Sequence, residues 1–217
     1  IGLFVLVSIS VIISLFCGAA SVTITDIIKL LKGGELTKAG RIMLYVRLPR
    51  VAGAVIAGMG LAASGAIIQI ILNNPLAGPN IIGVNAGAGF FVVLCGVMFP
   101  TAYSVLPFAA FIGAFLTVML VYYIGKKTGA SKITLVLSGV AINSFLNGAT
   151  DAIYTLNEES LLASNAFKIG GLSAININVL KTAGIVVFLV VFLLMFFYNE
   201  LEVFSLGEET AHTLGLP

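Results

Sequence analysis

The sequence predicts an all-α fold, a polytopic bundle of transmembrane helices with six spans in this chain. Of its 217 residues, 59% are hydrophobic and only 9% are charged, whereas about a quarter of the residues in soluble domains are charged. Apolar runs of about 20 residues recur, long enough for a helix to cross the roughly 30 Å hydrocarbon core of a bilayer. Composition therefore excludes an ordinary soluble domain, and a net charge of +2 is too small to indicate nucleic acid.

The hydropathy pattern places the spans and their connections. The six spans are predicted at residues 1–20, 51–72, 82–99, 105–124, 133–156 and 182–198. Residues 21–46 are predicted as a long polar loop with a short helix from Thr25 to Lys32, which Gly33 and Gly34 end. No Met or basic segment precedes the first run, so we expect a span whose start is missing rather than a whole signal peptide. We interpret 1–217 as one transmembrane domain that ends in a polar amphipathic segment, 199–217.

Small residues recur every fourth position in two of the predicted spans. The second span has Ala54, Gly58, Ala62 and Ala66, and the third has Gly83 and Gly87. Residues four apart share a helix face, and small side chains let helices in lipid approach closely. The pattern predicts a packed helical bundle, but it does not by itself indicate a pore.

Polar residues inside the fifth span form the main candidate site. Asn143, Asn147 and Thr150 are spaced i, i+4, i+7 on one helix face, and Asp151 follows four residues after Asn147. Polar groups are costly in hydrocarbon and usually face the bundle interior or a wet cavity. The face is predicted to line a translocation path, and hydrogen bonds between helices are the alternative. Gln69 and Asn85 give weaker signals of the same kind.

The sequence contains no convincing catalytic, nucleotide-binding or metal-binding motif. The stretch ending at Lys126-Lys127 lacks the first glycine of a phosphate loop, where Leu120 stands. His212 is the one histidine, and Cys17 and Cys95 lie in apolar runs without ligand spacing. We therefore predict a protein that is not an enzyme and binds no metal or cofactor directly. If ATP drives it, the ATPase is another chain.

Several blocks of residues, in order along nearly the whole chain, resemble a known family. They are Arg47-Leu48-Pro49-Arg50, Asn74-Pro75-Leu76-Ala77, residues 82–88, residues 135–141 and residues 206–215. Together they are similar to the FecCD-type permeases of bacterial importers for iron–siderophores, haem and cobalamin. The likeness departs from the family pattern near residues 167–173, where the expected Trp is absent.

The resemblance implies an architecture and a set of partners. A permease of this type has ten helices, pairs as a homodimer in the bacterial cytoplasmic membrane and works with two ATP-binding-cassette ATPases that use the ATP. A substrate-binding protein delivers the cargo from outside, and an iron–siderophore is the favoured cargo. This chain would supply the first six helices, so we expect a truncated and non-functional piece of that subunit.

The resemblance also implies roles for individual residues. Arg47 and Arg50 would dock the binding protein, because arginine pairs with carboxylates through two hydrogen bonds; anchoring at the lipid headgroups is the alternative. Asn143, Asn147, Thr150 and Asp151 would line the path, and Asn74, Pro75 and Lys132 would lie at the cytoplasmic gate. The predicted coupling segment to the ATPase contains Leu206, Gly207, Glu208, Glu209, Ala211, Leu214 and Gly215.

Two further alternatives stay open from the sequence. The coupling segment could lie in the membrane interface rather than in a groove of the ATPase, although its glutamates favour the groove. The chain could instead be a secondary transporter or channel, which would be expected to carry ionisable residues at mid-membrane; only Asp151 qualifies. A count of basic residues in the loops favours an orientation opposite to that of the family.

Overall fold

The computed structural model describes residues 2–18, 37–129, 131–157, 170–172, 175, 177–207 and 213, and all regular secondary structure in them is helical. The α-helices are α1 Gly2–Phe16, α2 Lys38–Ile42, α3 Leu48–Leu72, α4 Val84–Met98, α5 Leu106–Lys127, α6 Lys132–Leu156, α7 Ile177–Phe196 and α8 Tyr198–Ser205. A π-helical turn, Met43–Arg47, joins α2 to α3, and 3-10 turns occupy Pro79–Ile82 and Tyr103–Val105.

Apolar helices occur at all six predicted positions, which confirms the all-α, membrane-embedded fold class. Three helical stretches are long and apolar enough to cross a membrane: Lys38–Leu72, Leu106–Lys127 and Lys132–Leu156. The bent pair Leu180–Phe196 and Tyr198–Ser205 makes a fourth if it is counted as one span. Helices α1 and α4 are apolar but have only 15 residues each, so the number of full spans in the described residues is smaller than six.

The second helical stretch begins earlier than predicted, at Lys38 rather than at Val51. Thr37 caps it by accepting a hydrogen bond from the Gly40 amide at 3.1 Å. The predicted polar loop over 21–46 is therefore wrong for its last residues, while the predicted helix Thr25–Lys32 lies outside the described residues. Pro49 does not mark the entry to a helix, because it lies inside one.

The π-helical turn explains how the helix accommodates that proline. The Leu48 amide bonds to the carbonyl of Met43, five residues earlier, which widens the turn that precedes Pro49. In a regular α-helix the proline ring would clash with the carbonyl four residues before it, and its missing N–H would leave that carbonyl unbonded. A wider turn relieves both problems, and such turns are frequent at functional sites.

The chain divides into two compact units, residues 1–63 with 172–197 and residues 64–171 with 198–217. In the first unit, α3 packs against α7 and the segment before it through small residues. A Cβ added at Gly53 would meet Ile175, Leu172 and Leu180, and one at Gly184 would lie 3.0 Å from Ile56. Glycine at these positions thus allows close helix packing.

The small-residue stripe predicted on α3 does not make this contact. Ala54, Gly58, Ala62 and Ala66 are all exposed, and a Cβ at Gly58 would meet no described atom within 4 Å. The packed face carries Gly53, Ile56 and Gly60 instead. The spacing of four identifies a face of small residues, but among the described residues a different face of α3 contacts α7.

The second unit is built on α4, α5 and α6. Helix α5 buries every fourth residue: Ala109, Gly113, Thr117, Val121 and Gly125. Opposite them on α4, a Cβ at Gly87 would lie 2.6 Å from the Gly113 carbonyl oxygen. A Cβ at Gly83, the residue directly before α4, would lie 3.0 Å from Thr117. The predicted close approach at Gly83 and Gly87 is therefore confirmed.

Helix α3 ends in a Schellman motif built on asparagine rather than glycine. Asn73 has a φ of 47°, in the left-handed region. Its amide bonds to the Ile70 carbonyl at 3.1 Å, and the Asn74 amide bonds to the Gln69 carbonyl at 3.0 Å. These two bonds satisfy carbonyls that the helix end would otherwise leave unpaired.

The left-handed position gives a first testable prediction. We expect Asn73→Val to lower the free energy of unfolding by about 1–2 kcal/mol, because a β-branched residue is strained at positive φ. Asn73→Gly should leave it unchanged or slightly raised. The measurement is denaturant unfolding of the full-length protein in detergent. Equal destabilisation by valine and glycine would contradict the assignment, since it would point to the lost side chain rather than to backbone strain.

Candidate polar cavity and surrounding sites

The second unit contains a polar cavity of about 610 Å³. The α6 residues predicted to share one face, Asn143, Asn147 and Thr150, all line it. The remaining lining comes from the 3-10 turn after α3, the start of α4 and the segment after α6: Asn80, Asn85, Ala86, Gly89 and Gly170. The spacing on α6 thus brings these three polar side chains to one site, as the sequence predicts.

Asparagine side chains hold one wall of the cavity together. The Asn143 amide nitrogen donates to the backbone carbonyl of Asn80 at 2.8 Å, and the Asn85 side chain donates to the Asn80 side-chain oxygen. A Cβ on Gly139 would strike the Ile81 carbonyl, so this glycine lets the 3-10 turn lie directly on α6. The turn that carries Asn80 is therefore held on α6 by this hydrogen bond and by close approach of its backbone at Ile81 and Ile82 to Gly139.

The other polar side chains of α6 differ in their burial and in their hydrogen bonds within the protein. Thr150 is 2% exposed, and its hydroxyl donates to the Leu146 carbonyl at 2.7 Å. Asn147 is exposed, and its side chain makes no hydrogen bond to the described residues. Its amide is the group best able to contact a solute, because it offers both donors and an acceptor. Asp151 does not line the cavity.

The residues predicted at the gate lie at turns and helix starts. Asn74 and Pro75 follow the Schellman motif, where the Asn74 side-chain oxygen accepts from the Leu76 amide at 2.9 Å and the Ala77 amide bonds to the Asn74 carbonyl at 3.1 Å. Lys132 is the first residue of α6, directly after the capping residue Ser131. Asparagine and proline therefore stabilise the conformation of this turn, the first through its side-chain hydrogen bond and the second through its fixed φ.

The two arginines of the Arg47-Leu48-Pro49-Arg50 block lie in different surroundings. Arg47 is buried, and its guanidinium donates to the carbonyls of Leu15 and Phe16. Arg50 is exposed in the first turn of α3. The motif alone does not distinguish the two arginines, but in the structure Arg47 is buried and Arg50 is exposed.

Part of the predicted coupling segment is described. Leu206 is exposed, and Gly207 has a φ of 105° directly after α8, so the helical course ends there. The other predicted residues of this segment lie outside the described residues: Glu208, Glu209, Ala211, Leu214 and Gly215.

Sequence reasoning missed four residues of the cavity, Asn80, Ala86, Gly89 and Gly170. Asn80 belongs to a turn without hydropathy periodicity, so nothing in its neighbourhood signals a cavity. Its approach to Asn143 joins positions 63 residues apart. Asn85 gives a weak signal in the sequence, because it is a polar residue at the start of an apolar run.

Comparison with known proteins places this arrangement in a family. The model of the FecCD transport family matches residues 6–217. The Fe(3+)-citrate import system permease protein YfmD of Bacillus subtilis is 38% identical over 209 residues, which cover 94% of this chain and 61% of that protein. The ferric enterobactin transport system permease protein FepD of Escherichia coli is 33% identical over 217 residues, 99% of this chain and 65% of that protein.

The fold comparison agrees with the sequence comparison. A solved structure of a metal-chelate type ABC transporter in an inward-facing conformation has a TM-score of 0.83 and 27% identity. The match covers 99% of the present chain and 67% of the chain in the solved structure. The chain spans less than two thirds of the length of the two permeases named above. With a family match over nearly its whole length and the same helical fold, the chain belongs to the FecCD transport family.

Proposed function

We propose that the chain is a transmembrane permease subunit of an ATP-binding-cassette importer that moves a ferric chelate across the bacterial cytoplasmic membrane. The observation that carries the proposal is the polar cavity in a unit whose helices are otherwise apolar, in a chain of the FecCD transport family. Its volume is in the usual range for small-molecule sites, about 300–1,000 Å³.

The chemistry of the cavity favours an oxygen-rich, hydrophilic cargo. Its polar side chains are amides and a hydroxyl from Asn80, Asn85, Asn143, Asn147 and Thr150, which can donate to and accept from carboxylate, hydroxamate or catecholate oxygens without adding charge. Two of the similar permeases carry ferric citrate and ferric enterobactin in their names. An iron–siderophore or ferric citrate is therefore the cargo class that we propose.

The remaining parts of the proposed transporter follow from the family. The permease would act as a homodimer with two ATPase subunits on the cytoplasmic side and a substrate-binding protein outside. The turn at Asn74 and Pro75, together with Lys132, would form the cytoplasmic gate, and residues 206–215 would contact the ATPase. Hydrolysis would shift packed helices so that the cavity opens alternately to either side. The permease itself would hydrolyse nothing.

The test is uptake by the full-length permease in proteoliposomes, assembled with its ATPase and binding protein. We expect uptake of radioactive ferric citrate or a ferric siderophore to require ATP on the side of the liposome membrane where the ATPase is bound. Replacing residues 206–214 by a Gly/Ser linker should release the ATPase on co-purification and abolish uptake.

A matched control distinguishes coupling from general damage. The exposed Leu156 lies at the far end of α6, and Leu156→Ser should leave ATPase binding unchanged. Uptake driven by an ion gradient in the absence of the ATPase would contradict the proposal and would favour a secondary transporter.

A further inference from the structure

A groove of about 510 Å³ runs along one face of α7 in the first unit. The α7 residues that line it recur at helical spacing from Ile177 to Leu189, so the groove follows the helix for about 18 Å. Ile56 of α3 contributes the remaining lining. A Cβ added at Gly184 would lie 3.0 Å from the Ile56 side chain, so glycine at this position lets α3 reach α7 at the middle of the groove.

Apolar side chains along the groove are open to the surroundings of the helix. Phe188 is 64% exposed, Ile185 is 62% exposed and Leu189 is 53% exposed. Helix α7 is an apolar helix of a membrane-embedded fold, so these side chains contact hydrocarbon rather than water. A groove of this kind is filled either by the acyl chain of a lipid or by another helix.

The composition of this face favours an acyl chain over a helix. Helices that associate in lipid do so through small residues, which allow their backbones to approach closely. This face carries one small residue, Gly184, and a side chain there would already meet Ile56. The other apolar residues of the groove are branched or aromatic. They hold a second helix away, whereas a flexible hydrocarbon chain can lie between their side chains.

Lys181 supplies the one charge among the described residues that line the groove. It is exposed in the second turn of α7 and makes no hydrogen bond or ion pair with the part of the chain that the structure describes. The described residues of the first unit include no Asp or Glu. A lysine near the end of a membrane helix lays its alkyl stem along apolar surface and extends its ammonium to the headgroups. The group that complements this lysine is therefore an anion at the membrane surface.

We propose that the groove binds an anionic phospholipid, with the lipid phosphate on the Lys181 ammonium and one acyl chain along α7 towards Leu189. The helix rises about 12 Å between these two residues, which is within the roughly 15 Å of hydrocarbon in one leaflet. Charge and length thus fit the same ligand. The groove lies in the first unit, and its role depends neither on the cargo nor on the ATPase proposed above.

Quenching of a tryptophan by brominated lipids tests this site. The sequence contains no Trp, so Phe188→Trp reports on the groove once the fluorescence of the unsubstituted full-length protein is subtracted. The protein is reconstituted in mixtures of phosphatidylglycerol and phosphatidylcholine, one of which is brominated on its acyl chains. We expect a preference of about fivefold for phosphatidylglycerol, from the attraction of one lysine to anionic headgroups. Lys181→Gln should abolish this preference, and Lys181→Arg should retain it.

Two matched controls separate this groove from the general lipid surface. Phe111→Trp places the same reporter on α5, where Phe111 is 68% exposed, and should show no preference between the lipids. Lys126→Gln removes an exposed lysine that does not line the groove, and should leave the preference at Phe188→Trp unchanged.

Salt gives the same comparison if Lys181→Gln does not fold, because high salt should weaken the preference at Phe188→Trp. An equal preference at both reporters, or one that survives both Lys181→Gln and high salt, would overturn the proposal. So would a Phe188→Trp reporter that neither brominated lipid quenches, since protein would then cover the groove.

Discussion

Gly87→Ala is expected to lower the free energy of unfolding by about 2–3 kcal/mol, the upper part of the usual range for overpacking. The new Cβ would lie 2.6 Å from the Gly113 carbonyl oxygen and 2.7 Å from the Thr117 Cβ. Neither atom can move aside easily, because one is backbone and the other belongs to a buried threonine whose hydroxyl donates to the Gly113 carbonyl at 2.8 Å. Relief would require α4 and α5 to separate.

Gly96→Ala on the same helix is the matched control. A Cβ at Gly96 would meet no described atom within 4 Å, and alanine is favoured over glycine in a helix by about 1 kcal/mol. We therefore expect Gly96→Ala to be neutral or stabilising. Denaturant unfolding of the full-length protein in detergent measures both variants. A similar change in both would show that the α4–α5 contact does not need glycine at position 87.

The helices could be predicted from the sequence because the bilayer imposes a simple requirement. Long apolar runs have to be helical in lipid, and the polar turn at Asn73-Asn74-Pro75 ends one of them sharply. The start of the second helical stretch could not be predicted in the same way. A proline such as Pro49 usually marks the start of a helix. Nothing in the local sequence signals the π-helical turn that allows the helix to continue past Pro49.

Packing faces were less predictable than the helices themselves. The exposed stripe at Ala54, Gly58, Ala62 and Ala66 has the same spacing as the buried stripe that includes Ala109 and Gly113. Spacing says which residues share a face, but contact depends on what other segment reaches that face. The buried stripe on α5 carries the same signal and could have been noticed from the sequence.

Only part of the candidate site could be predicted from the sequence. Asn143, Asn147 and Thr150 could be grouped from the sequence, because i, i+4, i+7 spacing is a local property of one helix. Asn80 could not, since its contact with Asn143 depends on how the turn after α3 folds onto α6. The anchoring of Arg47 to Leu15 and Phe16 is equally non-local, and for that reason two arginines in one motif could not be told apart.

Under the proposed function, Asn147→Leu is expected to reduce uptake of the proposed ferric chelate about 10-fold or more while changing the free energy of unfolding by less than about 0.5 kcal/mol. The Asn147 amide is exposed and makes no hydrogen bond to the described residues, so its loss leaves the fold intact. A hydrophilic chelate that leaves water needs replacement hydrogen bonds. Losing one such bond costs about 1–3 kcal/mol, and each 1.36 kcal/mol on the barrier slows transport about tenfold.

Variants at neighbouring positions separate a role in transport from a role in the fold. Asn143→Leu should lower both stability and uptake, because its amide holds the Asn80 carbonyl at 2.8 Å. Ser144→Ala should change neither, since the Ser144 hydroxyl donates to Val140 within its own helix and does not line the cavity. Uptake is measured in the reconstituted transporter, and stability by denaturant unfolding. Normal uptake by a stable Asn147→Leu protein would mean that the chelate does not pass along this face of α6, because an apolar side chain cannot replace the amide's hydrogen bonds.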